Sequence, residues 1–309
     1  MDGELLIKGY KFDNDIRINL QSKTVIVGDN SFIVFEVFNM LEKYFNKKDF
    51  SEHYLNNNTT VIINELKLSG NEFIVFRMKP LCDLNEELKL TKKSFAGKYF
   101  NEEFSKFNYI EDLKKSLNSN ILGNLNNNLK KYNIEYDIDE LDFFDIAKLI
   151  SPNVYNSDGD EILFNEQNQF FIKCFLLNFI NQLKTEKKIM LLIELPEYGL
   201  NKSEITELFK VVNELSIDNV IVYTNDKSII DIIKNIFSYH STYKNQLCGF
   251  DDYDLLEEEF MLKNNISRSS IEKMVLENLF KVPEGELIKE IKQFFDKSVS
   301  ITCENVTPK

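Results

Sequence analysis

The first part of the chain mixes two hydrophobic periods, which predict short strands around one helix. Apolar positions 35, 38, 41 and 45 are spaced by three and four, so residues 31–45 should form an amphipathic helix. Runs rich in Val, Ile and Phe predict strands, because β-branched and aromatic side chains suit a pleated surface. These strand segments are residues 5–7, 16–20, 23–27, 59–63 and 73–76.

A change of pattern marks the middle of the chain. Residues 84–150 are rich in Lys, Glu, Asn and Leu and contain no strand-like run, which predicts a helical insertion. The Asn-rich segment 118–128 is expected to be a turn between two antiparallel helices.

Strands and helices alternate after the insertion. A nearly all-apolar helix is predicted at 166–183, and it should be buried because it is apolar around its circumference. Strand, helix, strand and helix then follow at 189–194, 203–215, 219–223 and 227–237, and this order is typical of right-handed crossovers in a largely parallel sheet. The chain from residue 251 should be helical again, with helices at 254–263, 269–280 and 284–297.

The predicted fold class is therefore α/β, with a mostly parallel sheet. Residues 1–82 and 151–250 should form an α/β head, residues 83–150 a helical insertion, and residues 251–309 a helical C-terminal extension.

Composition and charge exclude several classes of protein. An apolar content of 43% with only 10 Gly and 5 Pro excludes low-complexity and disordered chains. No apolar run approaches the roughly 18 residues of a membrane span, and the acidic start lacks the basic residues of a signal peptide, so we expect a cytoplasmic protein without a membrane partner. The four cysteines form no CxxC pair, which disfavours a zinc knuckle. Because the formal charge is −13, nucleic acid would have to bind a local Lys patch.

A strand, Gly28, a polar turn and a helix reproduce the layout of a phosphate-binding loop. The motif GxxxxGK[ST] also requires a second Gly, a Lys for the phosphates and a hydroxyl for Mg²⁺. Counted from Gly28, these places hold Ile33, Val34 and Phe35. Three apolar side chains would leave phosphate charge unpaired, so we expect no nucleotide binding in the usual mode.

A second motif, Ile-Met-Leu-Leu-Ile-Glu-Leu-Pro-Glu-Tyr-Gly-Leu at 189–200, resembles the Walker B strand of ABC-type ATPases. When Pro196 is placed on that family's proline, Glu194 takes the place of the metal-holding Asp and Leu195 that of the catalytic Glu. Asn225 stands in the place of the switch His. Leucine cannot accept a proton. The motifs together indicate a degenerate ABC-type, P-loop-like core that is not an enzyme.

With this degenerate core and its helical insertion, the sequence resembles the CRISPR-associated accessory protein family of type II-A systems, in a longer form with a C-terminal extension. The closest local resemblance runs from residue 134 to residue 223. That family forms rings and binds the ends of double-stranded DNA during spacer acquisition. The resemblance implies a homotetramer, bound calcium, and the CRISPR integrase and the RNA-guided effector nuclease as partners.

A ring would reconcile DNA binding with the acidic composition, since symmetry repeats one Lys patch around the hole. Contacts from Lys to phosphate position a duplex without reading its sequence, so binding should be independent of sequence and sensitive to salt. The densest basic segments lie early in the insertion. The DNA-binding candidates are Lys89, Lys92, Lys93, Lys98, Lys114 and Lys115.

Calcium requires hard oxygen ligands, and carboxylates crowd the segment that resembles the family's neck. The candidate ligands are Glu135, Asp137, Asp139 and Glu166. A solvated acidic loop would explain the same residues.

Two other functions stay open on the sequence. The first is an ABC-type ATPase or DNA-repair-like ATPase in which Gly28, Glu194 and Glu197 form a weakened nucleotide site. The second is a metal-dependent nuclease that uses the acidic residues at 137–142, although no paired carboxylates flank a catalytic Lys there.

Overall fold

The computed structural model describes residues 3–8, 15–28, 31–46, 59–105, 112, 115–132, 147, 150–155, 168–226, 229, 232, 238–243, 246–250 and 301–305. The chain divides into two compact units. The first unit consists of Met1–Cys82, Asn168–Gln182 and Glu186–Lys309, and the second of Asp83–Gln167 and Leu183–Thr185. None of the described helices combines the length and the apolar character that crossing a bilayer requires.

The first unit contains two sheets. In chain order the strands are β1 (Gly3–Lys8), β2 (Ile16–Leu20), β3 (Lys23–Gly28), β4 (Thr60–Ile63), β5 (Leu66–Lys67), β6 (Phe73–Met78), β7 (Lys188–Glu194), β8 (Asn219–Thr224), β9 (Ser238–Tyr243), β10 (Gln246–Phe250) and β11 (Ile301–Asn305).

The larger sheet has seven strands in the order β11-β10-β9-β3-β8-β7-β6. Its strands from β9 to β6 run parallel, which confirms the predicted parallel sheet. Strands β10 and β11 extend it in the antiparallel sense. Central strands β7 and β8 are buried almost throughout, as expected for parallel strands covered on both faces.

A four-stranded antiparallel sheet in the order β2-β1-β4-β5 accompanies the larger sheet. The pattern had predicted β1, β2 and β4 but not that they form a sheet of their own. Buried side chains alternate with more exposed ones along β2, which is typical of a sheet with one face on the core.

Three helices of the first unit agree with the predicted segments. They are α1 (Ser31–Phe45), α5 (Gln169–Asn181) and α6 (Lys202–Glu214). The Asn168 side chain accepts a hydrogen bond from the Phe171 N–H and so begins α5. Asn201 and Glu204 form a capping box at the start of α6.

The second unit contains helices and helical turns but no described strand of more than one residue. It contains α2 (Leu84–Leu88), α3 (Phe95–Ser105), a π-helical turn at Asn118–Leu122, α4 (Gly123–Leu129) and a 3₁₀ turn at Lys130–Tyr132. The prediction of a turn at 118–128 is therefore wrong. The side-chain amide of Asn124 donates to the backbone carbonyl of Asn120 at 3.1 Å. Asn side chains often stabilise turns, but this one forms a hydrogen bond with the preceding helical turn instead.

The C-terminal part of the first unit differs most from expectation. Strands β9, β10 and β11 were not predicted, and β11 lies within the segment expected to be a helical extension. The helices expected at 254–263, 269–280 and 284–297 lie outside the described residues, as does most of 227–237.

Candidate functional site

The sequence motifs meet at one edge of the larger sheet. Strands β3, β8 and β7 are neighbours and run parallel, so their carboxyl ends lie side by side. In the register of these strands, Glu194 lies opposite Tyr223 and Val27 lies opposite Thr224. Ligands of open α/β sheets bind at this kind of edge. The topology therefore brings the ends of the Gly28, Glu194 and Asn225 strands together.

Gly28 ends β3 with a φ of 149°, a backbone conformation that favours glycine. Its carbonyl accepts a hydrogen bond from the Tyr223 hydroxyl at 3.2 Å. The Phe35 ring packs edge-on against Tyr223, with 5.7 Å between the ring centroids. Ile33 and Val34 are each 1% exposed. The positions that a phosphate-binding loop gives to polar groups thus belong to the hydrophobic core.

Glu194 ends β7 and is 5% exposed. Its Oε1 accepts a hydrogen bond from Nε of Arg77 and forms an ion pair with Nη2 of the same side chain. Burial raises the pKa of Glu194, and the Arg77 guanidinium opposes that rise. The carboxylate is therefore committed to a guanidinium. A divalent metal ion would meet positive charge at this position, so the arrangement does not fit Mg²⁺ on Glu194.

Leu195 follows Glu194 with a φ of 42°, an uncommon backbone conformation for a residue with a side chain. Its N–H donates to the Tyr223 carbonyl at 2.8 Å, and the residue is 7% exposed. The position thus holds a buried apolar side chain that cannot activate water. Asn225, beyond the end of β8, is exposed.

Lys173 holds the segment that follows Leu195. It lies on α5 and is fully buried, at 0% exposed. Its ammonium donates to the carbonyl oxygens of Pro196 at 2.9 Å and Tyr198 at 2.7 Å. Burial lowers the pKa of Lys173, while electrostatic interactions with Cys82 and Glu197 oppose this. One side chain therefore pins the turn between β7 and α6 to α5.

Glu197 is the carboxyl group within this turn. Its Oε1 accepts a hydrogen bond from the Thr224 hydroxyl at 3.2 Å. Its Oε2 is buried and has no hydrogen-bond partner within the described part of the chain. Burial raises the pKa of Glu197, although hydrogen bonds from its own N–H, Thr224 and the Asn225 N–H act in the opposite direction.

This burial predicts a pH dependence. Because the pKa of Glu197 is higher in the folded than in the unfolded chain, ionising it costs more in the fold. Its effect on stability is absent below the unfolded pKa and becomes more unfavourable as pH rises from the unfolded pKa to the folded pKa. In Glu197→Gln, the free energy of unfolding relative to wild type should therefore increase as pH rises from about 4, the ordinary pKa of a glutamate, towards neutral. Urea denaturation across this range measures the difference.

Glu214→Gln provides the control, because Glu214 is an exposed carboxylate at the end of α6. Its free energy of unfolding should stay within about 0.5 kcal/mol of that of wild type, as is usual for substitutions on the surface. A pH-independent difference for Glu197→Gln would contradict the prediction.

The lysines proposed for DNA differ in exposure. Lys92 and Lys93 are exposed in the turn between α2 and α3, where the Ser94 hydroxyl caps α3 by accepting the Gly97 N–H at 3.1 Å. Lys98 is 8% exposed, which argues against a phosphate contact from it. Lys89 forms an ion pair with Glu86. Lys115 is exposed, and Lys114 lies outside the described residues.

The calcium candidates Glu135, Asp137, Asp139 and Glu166 all lie outside the described residues. Among the residues that are described, no group of three or more His, Cys, Asp or Glu side chains is arranged to hold a metal ion.

Sequence reasoning missed the roles of Arg77 and Lys173. The signal for each was a single cation within an apolar run: Arg77 follows the run 73–76, and Lys173 interrupts the apolar helix α5. A cation in such a position needs a buried partner.

No protein-family profile matches the sequence, and no curated protein shows significant sequence similarity to it.

Among solved structures, the chain is similar to Stu0660 of Streptococcus thermophilus, with 16% identity and a TM-score of 0.61 over 98% of this chain and 96% of that chain. A nucleotide-free ATP-binding cassette from an ABC transporter matches with 10% identity and a TM-score of 0.39, over 79% of this chain and 88% of that chain. The SMC head domain from Thermotoga maritima matches with 10% identity and a TM-score of 0.35, over 77% and 93%. The similarity to Stu0660, which spans nearly the whole of both chains, shows that the two proteins share a fold.

Proposed function

We propose that this protein is a non-enzymatic, sequence-independent double-stranded DNA-binding protein that acts in CRISPR spacer acquisition in the cytoplasm. The proposal rests on the residues at the carboxyl ends of the parallel strands. Glu194 is paired with Arg77, and Leu195 is buried beside it. An ATPase needs a free carboxylate for its metal and a base for its water. The fold therefore lacks the groups that hydrolyse ATP at this edge of the sheet, which favours a binding function over an ATPase.

The fold shared with Stu0660, a CRISPR-associated protein, supports the assignment to this defence system. The sequence motifs point in the same direction, since they resemble the type II-A accessory family. In this proposal the protein works with the CRISPR integrase and the RNA-guided effector nuclease.

The proposed assembly is a homotetrameric ring around the duplex. A formal charge of −13 makes binding over the whole surface unfavourable, whereas a ring concentrates repeated lysines on its inner face. The exposed turn with Lys92 and Lys93 is the best described candidate for that face. Calcium would be held by hard carboxylate oxygens such as those of Glu135, Asp137, Asp139 and Glu166, and would add positive charge near the DNA.

A mobility-shift series tests this function. The probes are one blunt linear duplex and the same sequence as a closed circle, each with calcium and with a chelator. Linear DNA should bind in calcium, with an affinity that falls steeply as salt rises, and the closed circle should not, because a ring must thread onto an end. Failure to bind linear DNA in calcium would overturn the proposal.

A further inference from the structure

Arg77 is surrounded by oxygen atoms from three side chains. Nε and Nη2 face Glu194 Oε1, while Nη1 donates to Asn39 Oδ1 and lies 3.6 Å from Glu42 Oε2. Asn39 and Glu42 lie on α1, whereas Glu194 ends β7. One guanidinium on β6 therefore collects oxygens from two other elements of the first unit.

The surroundings are arranged to accept a cation. The Asn39 amide donates to Glu36 Oε1 at 3.4 Å, which turns its oxygen towards Arg77. The side chains of Arg77, Glu42 and Glu194 are 15%, 21% and 6% exposed, so water screens their charges poorly. Without a cation between them, the two carboxylates would repel each other across a poorly solvated gap.

Arginine suits this place better than the lysine that supplies nearly all positive charge in the chain. Only Arg17, Arg77 and Arg268 are arginines. The guanidinium is planar, always charged, and carries donors that diverge towards several acceptors, whereas an ammonium is a point charge.

From this geometry we infer that Asn39, Glu42 and Glu194 form a cation-binding cage whose resident ion is the Arg77 guanidinium. The chemical class of its ligand is a small cation bound by hard oxygens. Because the guanidinium is part of the chain, the contact between α1, β6 and β7 needs no bound metal ion to neutralise the two carboxylates. An empty cage should accept a free guanidinium ion or a divalent cation such as Mg²⁺.

The test measures thermal unfolding of Arg77→Ala in the full-length chain, with low millimolar guanidinium chloride, MgCl₂ or ionic-strength-matched NaCl. Removing one partner of a buried ion pair is expected to lower the folding equilibrium constant about a hundredfold or more. Guanidinium or Mg²⁺, but not NaCl, should raise the unfolding midpoint of the variant by several degrees more than that of wild type. Arg17→Ala is the matched control, since Arg17 is 47% exposed in its side chain and pairs with Glu4 at 3.8 Å.

Arg77→Met with Glu194→Gln keeps the inference testable if Arg77→Ala does not fold. Removing the buried carboxylate charge should restore most of the stability lost in Arg77→Met alone. Rescue by a cation, or recovery in the double variant, supports the cage. An Arg77 variant as stable as Arg17→Ala, or one that neither cation nor the second substitution restores, overturns it. DNA binding plays no part in these measurements, so their outcome is independent of the proposed function.

Discussion

Replacing Lys173 with methionine is expected to lower the free energy of unfolding by about 2–4 kcal/mol. Methionine fills much of the volume of the lysine stem but cannot donate hydrogen bonds. The carbonyls of Pro196 and Tyr198 would then lose the ammonium that bonds them at 2.9 and 2.7 Å. The Pro196 carbonyl is buried, and a buried carbonyl without a donor costs more than the hydrogen bond itself is worth. Urea denaturation followed by far-UV circular dichroism measures the loss.

Lys210→Met is the matched control for this substitution. Lys210 lies on α6, its side chain is 62% exposed, and it forms an i, i+3 ion pair with Glu207. Such pairs contribute about 0.5 kcal/mol or less, so this variant should remain close to wild type. Equal stability of the two variants would show that the ammonium does not hold the turn.

Replacing both Lys92 and Lys93 with glutamine should weaken binding to linear duplex about 10- to 100-fold at physiological salt. Both side chains are exposed in the α2–α3 turn. Each lost phosphate contact should also reduce the slope of log affinity against log salt by about one. The loss should be the same for unrelated DNA sequences, because phosphate contacts carry no sequence information. Fluorescence anisotropy at several salt concentrations measures both quantities.

Glutamine at Lys202 and Lys210 controls for the change in net charge, since both lysines are exposed on α6 of the first unit. That variant should lose little affinity and keep its salt slope. If both double variants behave alike, general charge rather than the α2–α3 turn governs binding.

The parts of the fold that could be predicted from sequence are those with strong local patterns. The helix α1 and the strands β7 and β8 carry continuous or periodic apolar residues, and their bounds agree closely with expectation. Strand β9, Ser-Tyr-His-Ser-Thr-Tyr, has no apolar alternation, and β5 has only two residues. The strand conformation of β9 depends on pairing with β3, more than 200 positions away, whereas β5 pairs with β4 across a two-residue turn and is too short to leave a pattern.

In the candidate site, too, some features could be predicted from local sequence and others could not. The position of Gly28 and Glu194 at the same edge of the sheet, on strands separated by β8, follows from the carboxyl ends of predicted parallel strands. The partner of Glu194 does not, because Arg77 lies 117 positions away and its side chain reaches Glu194 only once β6 and β7 pair. Likewise, Lys173 meets the Pro196 and Tyr198 carbonyls only after α5 packs beside the turn.

An ABC-type ATPase with a weakened site is the main competing function, and it would require a nucleotide at this sheet edge. Titration of the wild-type protein with MgATP, together with a phosphate-release assay in the presence of linear duplex, distinguishes this ATPase from a non-enzymatic DNA-binding protein most directly. A nucleotide-inert scaffold should show no saturable binding up to about 1 mM ATP, the upper end of ordinary enzyme affinities, and no phosphate release above background. Saturable, magnesium-dependent binding with hydrolysis that a folded Glu194→Gln variant abolishes would contradict it.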